Sequence, residues 1–200
     1  MIPRPQQEVR GPLPIEADLE VVGKQLGRPA RGVHAVAHRC PCGLPDVVET
    51  EPLLPDGSPF PTLYYLTCPR AASAIGRLEA DGMMAEQTRR LGADADLRAA
   101  YRRAHENYLE RRQQLGDDPR ISGVSAGGMP TRVKCLHVLA AHALAAGPGV
   151  NPLGDEALDA AGAWWSAGPC VSVEPVRPGP PGTWSGPAEL GELEQPGEPR

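Results

Sequence analysis

Aromatic side chains make up only 4% of this 200-residue chain, with a single Phe, so a core has to be assembled from Leu, Val and Ala. Long apolar runs are missing too. The most apolar stretch, Val133 to Ala146, is interrupted by His137 and His142 and is too short to span a bilayer, which excludes membrane insertion through that segment. A basic surplus is also lacking. The net charge is −5, which argues against the electrostatic footprint of a nucleic-acid binder. The opening MIPRPQQEVRGPLP has no apolar stretch that could act as a signal-peptide core, so the cytoplasm is the expected compartment. Five cysteines are an odd number and fit thiols or metal ligands better than a disulfide framework.

Glycine and proline are abundant, at 23 and 24 residues, and they concentrate at the two ends. Residues 1–14 and the Pro-, Gly- and Glu-rich tail 171–200 read as disordered, which leaves 15–170 as a single globular domain. Ile15–Leu26 carries a helical apolar stripe that stops at Gly27 and Pro29. Gly32–His38, Val47–Thr50 and Thr62–Thr67 suit strands, with a Cys40-Pro-Cys-Gly turn and a Pro/Gly loop at 55–61 between them. Helices follow over Ala71–Ala80 and Met83–Leu91. Next comes a long helix capped by Asp94 or Asp96 that presents Leu97, Tyr101, Ala104, Tyr108 and Leu115 on one face. A further helix spans about Thr131 to Ala146, and a last one is capped by Asp155 and reaches Trp164 and Trp165. The fold class is therefore α+β: a small N-terminal antiparallel strand region packed against a mainly helical C-terminal part.

Two groups of residues carry chemistry. On a helix from Thr131, Cys135 and His142 fall within about 20° of each other, and Cys68 and Cys40 come from strand ends that could complete a zinc site. His137 replaces His142 if that helix is rotated, and Cys42 and Cys170 are bystanders. The bland alternative is that these are ordinary buried residues. The second group is the loop Ser125-Ala-Gly-Gly-Met-Pro130. Gly127 and Gly128 would leave amides free at a helix N-terminus, with Arg132 and Lys134 in the first turn to meet an anion. The bland alternative pairs both side chains with Asp117, Asp118 or Asp155. His105 and His137 are the candidate acid–base residues. Arg102, Arg103, Arg111 and Arg112, interleaved with Glu106 and Glu110, read as a solvated, salt-bridged face. Gly123-Val-Ser-Ala-Gly127 has the spacing of a nucleophile elbow, but GDDPRIS is no hydrophobic strand and no His follows His142, which argues against a serine hydrolase.

QLGRPARGV at 25–33, DGSPFPTLYYLTCP at 56–69, AYRRAHENYL at 100–109, SAGGMPTRVKCLHVLAAH at 125–142 and GVNPLGDEAL at 149–158 together resemble a bacterial, mainly actinobacterial family catalogued as domain of unknown function 501. The resemblance spans about 18–166 and brings no assigned activity. It implies that His can stand at the position of Cys68 and that Cys42 lies outside the family pattern. It also implies gene neighbours concerned with phosphate metabolism and the cell envelope. Two functions are therefore expected. One is binding or hydrolysis of a phosphorylated or other anionic small molecule. The other is a non-catalytic interaction protein built around a structural zinc site, linked to the cell envelope or division.

Overall fold

A computed structural model describes residues 16–172; the disorder expected for 1–14 and for the tail beyond 172 lies outside these. Helix α1 (Glu16–Leu26) stops at Gly27, whose φ of +66° suits a residue without Cβ. Three strands follow: β1 (Val33–Arg39), β2 (Pro45–Thr50) and β3 (Tyr64–Leu66). They form one antiparallel sheet in the order β1-β2-β3, as the strand patterns imply. Strand β1 is irregular. Register shifts against β2 flank the pair Ala35 and Val36, which oppose Glu49 and Val48 in one continuous register; they face opposite sides of the sheet, and both are buried because each side is covered. Asp18 of α1 grips Arg39 of β1 through two hydrogen bonds of 2.7 and 2.8 Å, which docks the helix onto the sheet.

The helical part contains α2 (Pro69–Ala80), α3 (Met83–Ala93), α4 (Ala95–Leu115), α5 (Leu136–Ala146) and α6 (Pro152–Ala161). Asp94 caps α4 by accepting the Leu97 amide at 2.9 Å. The expected apolar face is present in Tyr101, Ala104 and Tyr108, all fully buried. Helix α5 is the centre of the molecule: Leu136 and every residue from Leu139 to Ala145 are buried, and it packs on β3, α2 and α6. At Gly154 the backbones of α5 and α6 nearly touch, since a Cβ there would sit 2.2 Å from the Leu139 carbonyl oxygen.

Three expectations are corrected. The central helix starts at Leu136, not Thr131, because Cys135 is extended, with φ −156° and ψ 114°; the segment before it is held by Arg132 N–H on Gly128 O, Val133 N–H on Thr88 Oγ1 and Lys134 N–H on Gly127 O. Helix α6 is capped by Asn151, whose Oδ1 accepts the Gly154 amide at 3.1 Å, and it ends before Trp164 and Trp165. Arg111 and Arg112 are not part of a solvated face. Arg111 holds the buried Glu49 of β2 with two bonds of 2.7 Å, and Arg112 is 3% exposed, its guanidinium donating to the carbonyls of Pro61, Ile121 and Val124.

Candidate metal centre

The described residues bring one group of three or more metal-ligating side chains together: Glu79, Cys135 and His137, whose ligand atoms all lie within 4.8 Å of one another. Glu79 is in the last turn of α2, Cys135 is the residue before α5, and His137 is the second residue of that helix. Glu79 Oε1 accepts the Leu136 amide at 2.7 Å. The cap that Cys135 does not supply to α5 therefore comes from α2, where a carboxylate also meets the positive end of the helix dipole.

The His137 ring is held at both nitrogens. Nε2 lies 3.0 Å from the Ala72 carbonyl, which can only accept, so Nε2 carries a proton. Nδ1 then faces Glu79 Oε1 at 3.1 Å. Two lone pairs cannot meet at that distance without a cation between them, either a proton or a metal. A ring N–H given to a backbone carbonyl, with the other nitrogen turned toward a carboxylate and a thiol, is how metal-ligating histidines are oriented. Without metal the proton is favoured: the hydrogen bond with Cys135 and then that with Glu79 push the His137 pKa up to about 9 against the opposing effect of burial. Burial raises the Glu79 pKa, but the bonds from His137 and the Leu136 amide outweigh this and hold it below its usual value. All three residues are only partly buried, so the group is open to solvent.

The zinc set expected from the sequence is not the one assembled. Of its members, Cys135 and the substitute His137 are in the cluster. His142 is fully buried and stacked on Tyr64 with ring centroids 5.6 Å apart. Its Nε2 faces Asn107 at 2.9 Å and its Nδ1 faces Asn151 at 3.2 Å, and burial lowers its pKa to about 4. Cys40 is buried in the turn before β2 beside Cys42, and burial pushes its thiol pKa up. Cys68 is the residue before α2 and lies beside Cys170, its thiol pushed up to about 12 by burial. Cys135 is not helical, with φ −156° and ψ 114°, so it does not share a helix face with His142.

Neither is the anion loop at a helix N-terminus. Gly127 and Gly128 take φ of +72° and +92° in a tight turn folded against the 132–134 segment. A Cβ on Gly128 would lie 2.6 Å from the Arg132 carbonyl oxygen. The N-terminus of α5 already has its anion in Glu79. Arg132 and Lys134 are exposed, and neither forms an ion pair with a described residue, so pairing with Asp117, Asp118 or Asp155 does not occur. His105 Nδ1 lies 2.8 Å from Ser125 Oγ, which itself donates to the Met129 carbonyl. Burial lowers the His105 pKa, and the contact ties α4 to the glycine turn.

Glu79, which lies 56 positions before Cys135, has no place in the set expected from the sequence. One signal was available. Its neighbours three and four places away are Ile75, Gly76, Gly82 and Met83, so no helix-surface cation can pair with it.

No curated protein and no solved structure matches the chain. A family model described as a protein of unknown function (DUF501) matches residues 36–159, a span that includes all three cluster residues. The chain belongs to the DUF501 family.

Proposed function

We propose that this protein binds a divalent cation of the zinc class through Glu79, Cys135 and His137, and that the cation holds a phosphorylated or other anionic small molecule. The observation that supports this best is His137, with one nitrogen anchored on Ala72 and the other aimed at Glu79 and Cys135. Carboxylate, thiolate and imidazole are all zinc ligands, and tetrahedral bond lengths of about 2.0–2.3 Å separate ligand atoms by about 3.3–3.6 Å. The 4.8 Å limit of the cluster closes to that with small side-chain rotations. A closed structural site needs a fourth protein donor, and the described residues supply three, so the open, catalytic type of site is favoured. Arg132 and Lys134, just before Cys135 in the chain, add positive charge for the anion. Water in a remaining position would have its pKa lowered to about 7, the chemistry that hydrolysis of such a ligand requires.

The test is calorimetric titration of the full chain with zinc. Saturable binding is expected, lost in Cys135→Ser and His137→Ala and retained in Cys40→Ser. Thermal-shift titration with inorganic phosphate should then show stabilisation that needs both zinc and Arg132 with Lys134. Zinc affinity unchanged in Cys135→Ser would remove the proposal.

A further inference from the structure

The sheet has two faces with different company. Val47, Tyr64 and Leu66 point into the main core with α5, while Val48 and Tyr65, in the alternate positions, point the other way, to the side of α1. An eleven-residue helix rises only about 16 Å and does not cover that second face. Beside it is a cleft of about 190 Å³. Its apolar wall is made by Val22 and Leu26 of α1, Val48 and Tyr65 of the sheet, and Leu54 and Phe60 of the loop before β3. Arg28 and Arg31 line the same cleft and are exposed. Neither guanidinium forms a hydrogen bond or ion pair with a described residue; Asp56 feels the charge of Arg31, but its carboxylate is engaged by the Ser58 amide at 2.9 Å. Gly32 keeps the cleft open, because a Cβ there would come within 2.9 Å of Leu54 Cδ2 and push that side chain inward.

From this juxtaposition we infer a second ligand site, for a small amphiphilic anion: a monocarboxylate with a short aliphatic tail. An apolar cleft with a few convergent polar groups is the usual form of a small-molecule site. Two unpaired guanidiniums supply the fork geometry that a carboxylate fits. Volume sets the tail. Liquid water takes about 30 Å³ per molecule, so the cleft holds about six water-sized groups, enough for a chain of about six to eight carbons and too little for a long-chain lipid. Thr50 does not compete as a polar anchor, because its hydroxyl donates to the backbone of Thr62 and Leu63. The site is built from residues apart from Glu79, Cys135 and His137, and it stands whether or not a metal binds there.

The experiment is titration of the full chain with octanoate, followed by calorimetry and by amide NMR shifts. Octanol, which lacks the charge, and acetate, which lacks the tail, are the controls. Saturable octanoate binding is expected, at least about tenfold tighter than either control, a difference of about 1.4 kcal/mol. The shifts should map to α1, β2 and the 54–60 loop. The double variant Arg28→Gln/Arg31→Gln alters two exposed side chains and should fold. It should weaken octanoate about tenfold and leave octanol unchanged. Cys135→Ser should bind octanoate as the parent does. Absence of saturation, equal affinity for octanol, or unchanged octanoate binding in the double arginine variant would each overturn the inference.

Discussion

Arg112→Met tests whether a buried cation organises the loop between α4 and the glycine turn. The guanidinium donates at 3.1 Å to Pro61 O, 2.6 Å to Val124 O and 2.7 Å to Ile121 O, with no carboxylate among these partners. Hydrogen bonds to a charged group contribute about 1.5–3 kcal/mol each, a gross sum of about 4.5–9 kcal/mol. Two effects reduce it. Burial of the cation has its own cost, visible in an Arg112 pKa pulled down by desolvation. In addition, Val124 is 57% exposed, so water can reach its carbonyl once the arginine is gone. Methionine restores much of the apolar packing of the stem. The expected loss is about 3 kcal/mol by urea denaturation, or about 6–12 °C in melting temperature for a chain of this size. Arg112→Lys keeps the charge but not the fork and should recover less than half. Limited proteolysis should find new cleavage between residues 117 and 124 in both variants. A loss below about 1 kcal/mol would refute the idea that these three carbonyls depend on the guanidinium.

Three further outcomes are expected. In chelator-treated protein, the His137 pKa of about 9 lies above its unfolded value of about 6.5. The stability it confers is therefore complete below pH about 6.5 and is lost as pH rises through about 9. With a side chain 32% exposed, the contribution is about 1–2 kcal/mol after solvent screening, read as a narrowing of the stability gap between parent and His137→Gln; a gap that stays constant from pH 6.5 to 9.5 would contradict it. Gly154→Ala places a Cβ 2.2 Å from the Leu139 carbonyl oxygen and should cost at least about 3 kcal/mol, measured by thermal melting, whereas the same change at the exposed Gly92, which meets nothing within 4 Å, should stabilise slightly. Asp94→Ala removes the bond to the Leu97 amide and should cost about 1 kcal/mol in urea denaturation, the loss being recovered by Asp94→Ser.

The α+β class and most element positions were legible because they rest on local signals: the stripe of α1, the β-branched and aromatic run before Cys68, and the Asp94 cap. The start of α5 was not. Thr131 to Cys135 has acceptable helical spacing, and what holds the segment in another shape is non-local: Val133 gives its amide to Thr88, 45 positions earlier, and Cys135 is extended. Asp155 was a plausible cap, yet Asn151 fills that role because the chain turns sooner, at Pro152. Arg112 looked like its charged neighbours, and only the fold of the 117–124 loop over α4 buries it. The candidate site was half legible. Cys135 and His137 were in view, but their partner Glu79 comes from another helix, and tertiary pairing of that kind leaves no periodic trace.

The Leu136 amide bond to Glu79 makes one backbone proton a reporter of events at the cluster. That N–H belongs to a helix whose body is buried almost throughout, so its exchange with solvent is governed by local opening at the first turn, not by global unfolding. A cation that draws Glu79 toward itself changes its bonds to the first-turn amides of Leu136 and His137 while leaving the amides from Leu139 onward as they were. Metal arrival would thus appear as a change in exchange rate confined to the first turn of a helix whose other rates hold still. Occupancy could then be followed on a backbone group that touches no metal.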